Sequence, residues 1–564
     1  MTTQKLFYPF IAGLFLCLIV FASCKGKEKR SEHFASSPQE LNEKTKELIS
    51  STFQQSSLPV FLSDDSSFTF SQKEFAAFLY AGNQYLTNWS SKETWSTSGD
   101  SLCHFIENAQ LYGLFPEDYH ADAIKAIRNK FVADSLGKND RKDASLWAKV
   151  DIMLTDAFVQ IVKDIKIGRL PDDSISLRKN SVLSNEFYQQ QLNAVFSNGL
   201  ISTIESLEPK QPEYALLKSG IKKFLDGADY RKFTVIPYPE KNQQKFKQLL
   251  QKRLYEGGFI SFDSTAADTT QIAEAVKLFQ KKKGISVDGV AGEGTIRMLN
   301  VSDREKFIRI AISMDKYKML PEKMPSKYIW VNTSANYLQV MNGNKVELSS
   351  KVICGKAKTR TPLLNSAVSL IITYPQWVPP PSIVGKEILP AVKKNPGYLA
   401  RKGFSLIDSK GNEVDPYSVD WSKYSRGIPY RIVQGSGDAN SLGIIKFHFD
   451  NKYSVYLHDT NQRYLFANAM RSLSHGCVRV QEWQQLAFYL FRNDSSLNAA
   501  NNFIRIDTVK AMLARKQKRN FSIKNKMPLF IRYVTCEGRN GNILFYDDIY
   551  GEDKMIRQKY FATK

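Results

Sequence analysis

In Ser474-His475-Gly476-Cys477-Val478-Arg479-Val480 a thiol follows a glycine in a short polar turn, and a β-branched pair flanks an arginine just before a helical pattern begins. Upstream, Tyr456-Leu457-His458-Asp459-Thr460 ends a strand-like run, with fifteen residues between His458 and Ser474. A thiol with a separately delivered imidazole is what covalent acyl transfer needs. The thiolate attacks, and a nearby histidine either takes its proton or holds the thiolate as an ion pair. Peptide N–H groups around Gly476 and Cys477 are natural oxyanion donors, because a glycine lets the backbone approach closely. For an arbitrary chain, a buried cysteine and two structural histidines would be the plainer reading. The chemical rival is a zinc site from His448, His458 and Cys477. There the step from His448 to His458 is too long for a hairpin-type pair, and no acidic residue is placed as a base.

Strands must carry these groups, and the surrounding chain supplies them. From about residue 325 the apolar period changes from 3.6 to 2. Tyr328–Asn332, Tyr337–Met341, Lys351–Cys354 and Ser369–Tyr374 read as strands, with Asn342-Gly343-Asn344 as a hairpin turn. Strands resume at Gly443–Phe447 and Ser454–Leu457, and Trp483, Leu486, Ala487, Leu490 and Phe491 give an amphipathic helix. Residues 378–430 break the pattern with prolines, Lys386, Lys393, Lys394, Trp421 and Tyr424. The stretch is too long for an ordinary connection and reads as an insert over a site. After a domain at 325–520, residues 521–564 add two strand candidates, Leu529–Val534 and Ile543–Tyr546, and a basic tail.

The 564-residue chain is too long for one core. With 43% hydrophobic and 24% charged residues it is globular rather than disordered. Its formal charge of +22, from 78 basic against 56 acidic residues, favours an anionic surface or polymer. Nucleic acid is disfavoured, because no zinc-finger spacing or RNP-type strand occurs. The cysteines Cys17, Cys24, Cys103, Cys354, Cys477 and Cys536 are too scattered for a disulfide framework or a clustered zinc site.

Residues 1–23 read as an export signal: Lys5, an apolar core from Leu6 to Phe21, then small residues before Cys24. Residues 24–45 read as a charged tether. Residues 46–235 are a helical scaffold, in which Leu146, Val150, Met153, Leu154, Ala157, Phe158, Ile161 and Ile165 fall at helical spacing and Gly168 stands at the expected C-terminal cap. His104 and His120 have no partners in sequence and read as structural or exposed. Residues 240–300 form a small helical unit. One face is Phe246, Leu249, Leu250 and Leu254; a second is Ile272, Ala275, Val276 and Phe279. Gly284 ends the second helix and Asp288-Gly289 supplies a tight turn.

Several of these stretches resemble known families. Phe21-Ala22-Ser23-Cys24 resembles a bacterial lipobox, with Phe where Leu is usual. The resemblance implies lipid on Cys24 and an exported, periplasmic protein anchored to the inner or outer membrane. Ala275 to Gln280, Gly284, Val287-Asp288-Gly289 and Gly294-Thr295 resemble the peptidoglycan-binding domain type 1 module. His458 with Ser474-His475-Gly476-Cys477 and Arg479 resembles the L,D-transpeptidase (YkuD) catalytic motif. The flanks continue it: Gly355 to Pro362, Trp377 to Pro380, Leu442-Gly443, Lys446-Phe447 and Asp547 to Gly551. Together these segments look like the large YcbB-type branch of that family. The expected fold is α+β and multidomain: a helical scaffold, a three-helix wall-binding unit, and a β-rich catalytic domain capped by the 378–430 insert.

The resemblance implies that Cys477 attacks the third-residue carbonyl of a tetrapeptide stem. His458 then activates the thiol and protonates the leaving D-alanine, and a second stem's amine resolves the thioester as a 3→3 crosslink. His475 and Ser474 would support the pocket. Arg479 would hold either a substrate carboxylate or an internal ion pair. Trp377 and Tyr430 would cover the donor stem. No metal or cofactor is implied; slow inactivation by carbapenems is. Two alternatives share the motifs: an L,D-carboxypeptidase with water as acceptor, and a non-enzymatic lipoprotein that tethers the wall.

Overall fold

The computed structural model describes residues 33–54, 62, 68–133, 140–178, 182–261, 268–283, 286–425, 427–497 and 505–564. The expected export signal, Cys24, the first part of the tether and Gly284 lie outside the described residues. The chain divides into two compact units. One holds the residues up to Pro171 with Arg178–Pro209 and Lys564; the other holds Asp172–Leu177 and Lys210–Thr563. No helix among the described residues is long and apolar enough to cross a membrane.

The first unit is helical and built around Ala144–Lys166, a helix buried on nearly every side. The anticipated apolar stripe lies on it. Asp143 caps its start by accepting from the Ser145 N–H, and Gly168 follows its end at φ +80°. Three carboxylates on this buried helix organise the surrounding chain. Asp151 accepts from Tyr80 Oη at 2.6 Å and from the backbone N–H groups of Asn88 and Trp89 at 3.0 Å each. Burial pushes its pKa up to about 6 against these donors. Asp156 accepts from the Ser71 and Gln72 N–H groups and pairs with His120 Nε2 at 2.9 Å, so His120 is a structural partner. Asp164 accepts from Tyr119 Oη at 2.8 Å.

The scaffold expected over 46–235 is shared between the units. Its last helix, Pro212–Asp226, packs on a hairpin of the second unit, Cys536–Arg539 with Asn542–Phe545. Tyr214, Leu217 and Ile221 form the buried face. Two glycines permit the close approach: a Cβ on Gly220 would press on Ile543, and one on Gly538 would collide with the Leu216 backbone.

Also in the second unit, helices Gln243–Glu256, Thr269–Lys283 and Glu293–Leu299 enclose a core of Leu250, Leu254, Ile272, Val276, Phe279, Ile296 and Leu299. One buried amide fixes the turn after the second helix. Gln280 Oε1 accepts from the Asp288 and Gly289 N–H groups, while its Nε2 donates to Asp288 Oδ1 at 2.7 Å.

The β-rich domain follows. Its strands are β1 (Lys327–Asn332), β2 (Tyr337–Asn342), β3 (Lys345–Gly355), β4 (Leu364–Thr373), β5 (Phe404–Ile407), β6 (Arg431–Gln434), β7 (Ile445–Phe449), β8 (Leu457–His458), β9 (Ser472–Ser474), β10 (Val478–Val480) and β11 (Arg519–Arg532). Nine of them form one sheet in the order β9-β3-β10-β8-β7-β4-β11-β1-β2, and β2 pairs again with β3, so the hydrogen-bonded circuit closes. Val331, Leu338, Val352, Ile371, Phe447, Leu457, Val478 and Leu529 fill the interior with Leu486, Leu490 and Phe491 of helix Trp483–Leu497. The strand expected over 454–457 is shorter and later. Ser454 stands at φ +56°, and Asn451 accepts from the Tyr453 and Val455 N–H groups in a turn, so pairing begins only at Leu457.

The insert has its own small core of Ile388, Leu389, Val392, Leu399, Phe404, Leu406, Trp421 and Ile432. β5 and β6 pair within it, and Trp377 exchanges backbone hydrogen bonds with Gln434 where it leaves and rejoins the domain.

Asp151→Ala would leave the Asn88 and Trp89 N–H groups and the Tyr80 O–H without the acceptor they now share. Each such loss costs about 1–3 kcal/mol. The expected result is an early urea transition, with the scaffold destabilised by about 3–5 kcal/mol.

Candidate active site

β8 is two residues long and sits between two partners. It pairs in parallel with β10, Leu457 against Val478 and His458 against Arg479. It pairs antiparallel with β7, Leu457 against Phe447 and His458 against Lys446. Side chains alternate along a strand. Leu457, Phe447 and Val478 go to the apolar interior. Tyr456, His458, Lys446, Cys477 and Arg479 therefore share the other face. Parallel pairing thus brings together an imidazole and a thiol that lie far apart in sequence.

Tyr456, His458, Cys477 and Arg479 line a cleft of about 750 Å³, bounded on one side by the sheet and on the other by the insert. Trp377, Ser474, His475, Cys477, His458 and Arg479 all line it, as do Glu387, Arg401, Lys402, Gln434 and Asn440. Tyr430 does not. Its ring packs against Trp421 and Tyr424 inside the insert, with centroids 6.5 and 6.3 Å away, and it faces a separate cavity of about 710 Å³.

The turn before the thiol is locked from both sides. Ser474 Oγ accepts from the Gly476 N–H at 3.2 Å and donates to the Cys477 carbonyl at 2.6 Å. The Ser474 carbonyl accepts from the Lys356 N–H and from Thr359 Oγ1. Gly476 stands at φ +121°, in the region that a Cβ disfavours. The Gly476 N–H is thus engaged by Ser474, whereas the Cys477 N–H has no acceptor among the described residues.

His458 is 4% exposed, and its Nδ1 is buried without a hydrogen-bond partner of good geometry. Burial, then the Arg479 guanidinium and the Lys446 ammonium, push its pKa down to about 3, while the Asp459 and Leu442 backbones oppose the shift. Burial likewise pushes the Cys477 thiol up, against the Tyr456 backbone and the cations Lys446 and Arg479. Both shifts favour the neutral forms, thiol and imidazole, so any proton transfer from sulfur accompanies the attack rather than precedes it.

The neighbours are ordered. The Tyr456 ring meets His458 edge-on with centroids 5.6 Å apart, and Lys446 Nζ lies 3.9 Å from the Tyr456 ring centroid. The Tyr456 hydroxyl faces Trp377 and Cys477. Arg479 Nη1 donates to Gln462 Oε1 at 2.9 Å; no carboxylate pairs with it among the described residues, which removes the internal ion pair as its role. Behind His458, the buried Asp459 carboxylate accepts from Arg463 Nε at 3.0 Å and Nη2 at 2.6 Å, and from the Ile444 N–H at 3.1 Å. Gly443, at φ +62°, leaves no room for a Cβ against that carboxylate. His475 Nε2 meets Glu387 Oε1 of the insert at 2.5 Å.

Sequence reasoning gave no role to Tyr456, Asp459 or Glu387. The first two flank His458 in the quoted strand, which was a usable signal; Glu387 carried none.

His448 lies half-buried near Asp450 and lines no part of the cleft. Among the described residues no three His, Cys, Asp or Glu side chains cluster as metal ligands.

Three segments of the chain match models of known families. Residues 326–493 match the YkuD family model, described as the L,D-transpeptidase catalytic domain. Residues 75–220 match a model described as a scaffold domain, and residues 245–299 one described as "Putative peptidoglycan binding domain". A protein of Haemophilus influenzae named "Putative L,D-transpeptidase" is 32% identical over 280 residues, 48% of this chain and 55% of the relative. The match thus spans about half the length of that relative. A solved structure titled as the Ldtfm-avibactam carbamoyl enzyme aligns at 10% identity and a TM-score of 0.15, over 39% of this chain and 61% of that one. That likeness is too slight to carry an argument. Residues 326–493 are thus similar to the L,D-transpeptidase catalytic-domain family and residues 245–299 to the peptidoglycan-binding-domain family.

An unfolded histidine takes a proton near pH 6.5, whereas His458 resists it down to about 3. Between those values the unfolded chain holds the extra proton, so this contribution to stability is full above 6.5 and falls as the pH drops. His458→Gln removes it. The unfolding free energy of wild type minus that of the variant should rise by about 2–4 kcal/mol from pH 4 to pH 7, read by urea unfolding at each pH.

Proposed function

We propose that the protein is a peptidoglycan L,D-transpeptidase that forms 3→3 crosslinks through a thioester on Cys477. The observation that supports this reading is the parallel register of β8 on β10, with His458 opposite Arg479, two residues from Cys477, and both His458 and Cys477 lining one cleft. Cys477 Sγ attacks the carbonyl of the third residue of a donor tetrapeptide stem, and His458 takes the thiol proton. The Cys477 N–H holds the developing oxyanion. His458 then gives its proton to the departing D-alanine amine, leaving the thioester. The side-chain amine of a second stem's diamino acid attacks that carbonyl, the C–S bond breaks, and the thiol is restored.

Arg479, which pairs with no carboxylate among the described residues, stands ready for a substrate carboxylate near the nucleophile. Trp377, against the Tyr456 hydroxyl, covers the donor side. The insert walls one side of the cleft, and shielding a thioester from water there favours an amine acceptor over hydrolysis. Residues 240–300 hold the enzyme on the wall. The Cys24 lipid places it in the periplasm, on the inner or outer membrane, and its +22 charge suits a carboxylate-rich polymer. Scaffold, wall-binding and catalytic segments in one chain are the layout of the YcbB-type branch. Carbapenems would acylate Cys477 slowly.

The test is product analysis. Residues 25–564 incubated with disaccharide-tetrapeptide should give a dimer lacking one D-alanine, resolved by mass, and Cys477→Ala should give none. Tripeptide alone would move the reading to an L,D-carboxypeptidase. No product from folded wild type would overturn it.

A further inference from the structure

The cleft is charged unevenly. Its permanent cations are Arg401, Lys402 and Arg479, and Glu387 is the only carboxylate among its described lining residues. Glu387 is carried by the insert, on a stretch of helix from Pro381 to Lys394 whose middle, Val384–Ile388, is a π-turn. A π-turn adds one residue to a helical turn and re-aims the side chains that follow. Here the re-aimed carboxylate meets His475, two residues before Cys477. Glu387 Oε1 is engaged by His475 Nε2 at 2.5 Å, and the side chain stays half-exposed. Its Oε2 has no partner among the described residues.

The second half of the proposed reaction poses a specific problem. The acceptor amine reaches the cleft as an ammonium, which is not a nucleophile and which three cations repel. It needs a carboxylate near the thioester and a route for its proton. We propose that Glu387, held by His475, binds the acceptor ammonium and so selects an amine over water in the step that resolves the thioester. This rests on the reading of Cys477 as the acyl-forming nucleophile. The ammonium gives one proton to the Glu387–His475 pair. The N–C bond forms, the C–S bond breaks, and the second nitrogen proton passes through His458 to Sγ. The pair then returns its proton to solvent. His458 serves acylation, and Glu387 is a specificity residue for transfer.

The test compares Glu387→Gln with wild type in full-length protein, using tetrapeptide donor and two acceptors. One is a stem peptide with a free diamino-acid amine; the other is hydroxylamine, which is uncharged at neutral pH. Losing one charge-assisted contact is worth about a tenfold change. The dimer-to-tripeptide ratio should fall about tenfold in the variant, with a raised KM for the stem acceptor. The ratio of hydroxamate to tripeptide should match wild type. An unchanged dimer ratio overturns the proposal, and so does an equal loss with both acceptors, which would mark a merely structural role. If wild type forms no acyl-enzyme by intact mass, the transpeptidase reading falls and this inference falls with it.

Discussion

A parallel pairing only two residues long holds the site together. Leu457 and His458 lie between β7 and β10, with Leu457 anchored in the apolar interior between Phe447 and Val478. Because strand side chains alternate, that burial leaves His458 no choice but the cleft face. A slip of one residue would turn the imidazole inward and the leucine outward. The devices around the strand resist such a slip. Asp459 ties the chain after His458 to Arg463 and to the Ile444 N–H, and Gly443 makes room for it. Ser474 locks the opposite turn through Gly476 and Cys477.

The same burial that fixes the geometry sets the chemistry. Desolvation acts on both partners in the direction of neutrality, lifting the thiol and lowering the imidazole. The nearby cations act in opposite senses on the two: Lys446 and Arg479 favour a thiolate but disfavour an imidazolium. An ion pair is thus blocked on the histidine side. Both groups are thus biased toward their neutral forms, on a face that already carries the cations Lys446 and Arg479.

Much of this was legible in the sequence because the signals are local. The apolar stripe of helix Ala144–Lys166, the Asp288-Gly289 turn and the change to period two after 325 each follow from neighbouring residues. The Cys477 turn was legible because its serine, glycine and cysteine are contiguous. Other features depend on residues that meet only in the folded chain. Glu387 reaches His475 from an insert, through a π-turn that periodicity does not reveal. Helix Pro212–Asp226 has the same apolar spacing as its scaffold neighbours, and only the hairpin around Gly538 draws it into the other unit. Tyr430 sits in an aromatic-rich stretch that read as a cover for substrate, yet its ring completes the insert's own packing.

The central claim is the neutral resting pair, and the pH dependence of Cys477 alkylation tests it most directly. In residues 25–564 the other cysteines, Cys103, Cys354 and Cys536, are buried, so a small alkylating agent applied to that fragment reports on Cys477, with Cys477→Ala as the blank. The account predicts a rate that keeps climbing with pH past the usual thiol ionisation near 8.5, with no plateau at lower pH. A pH-independent rate between about 5 and 8, the mark of a preformed thiolate–imidazolium pair, would contradict it.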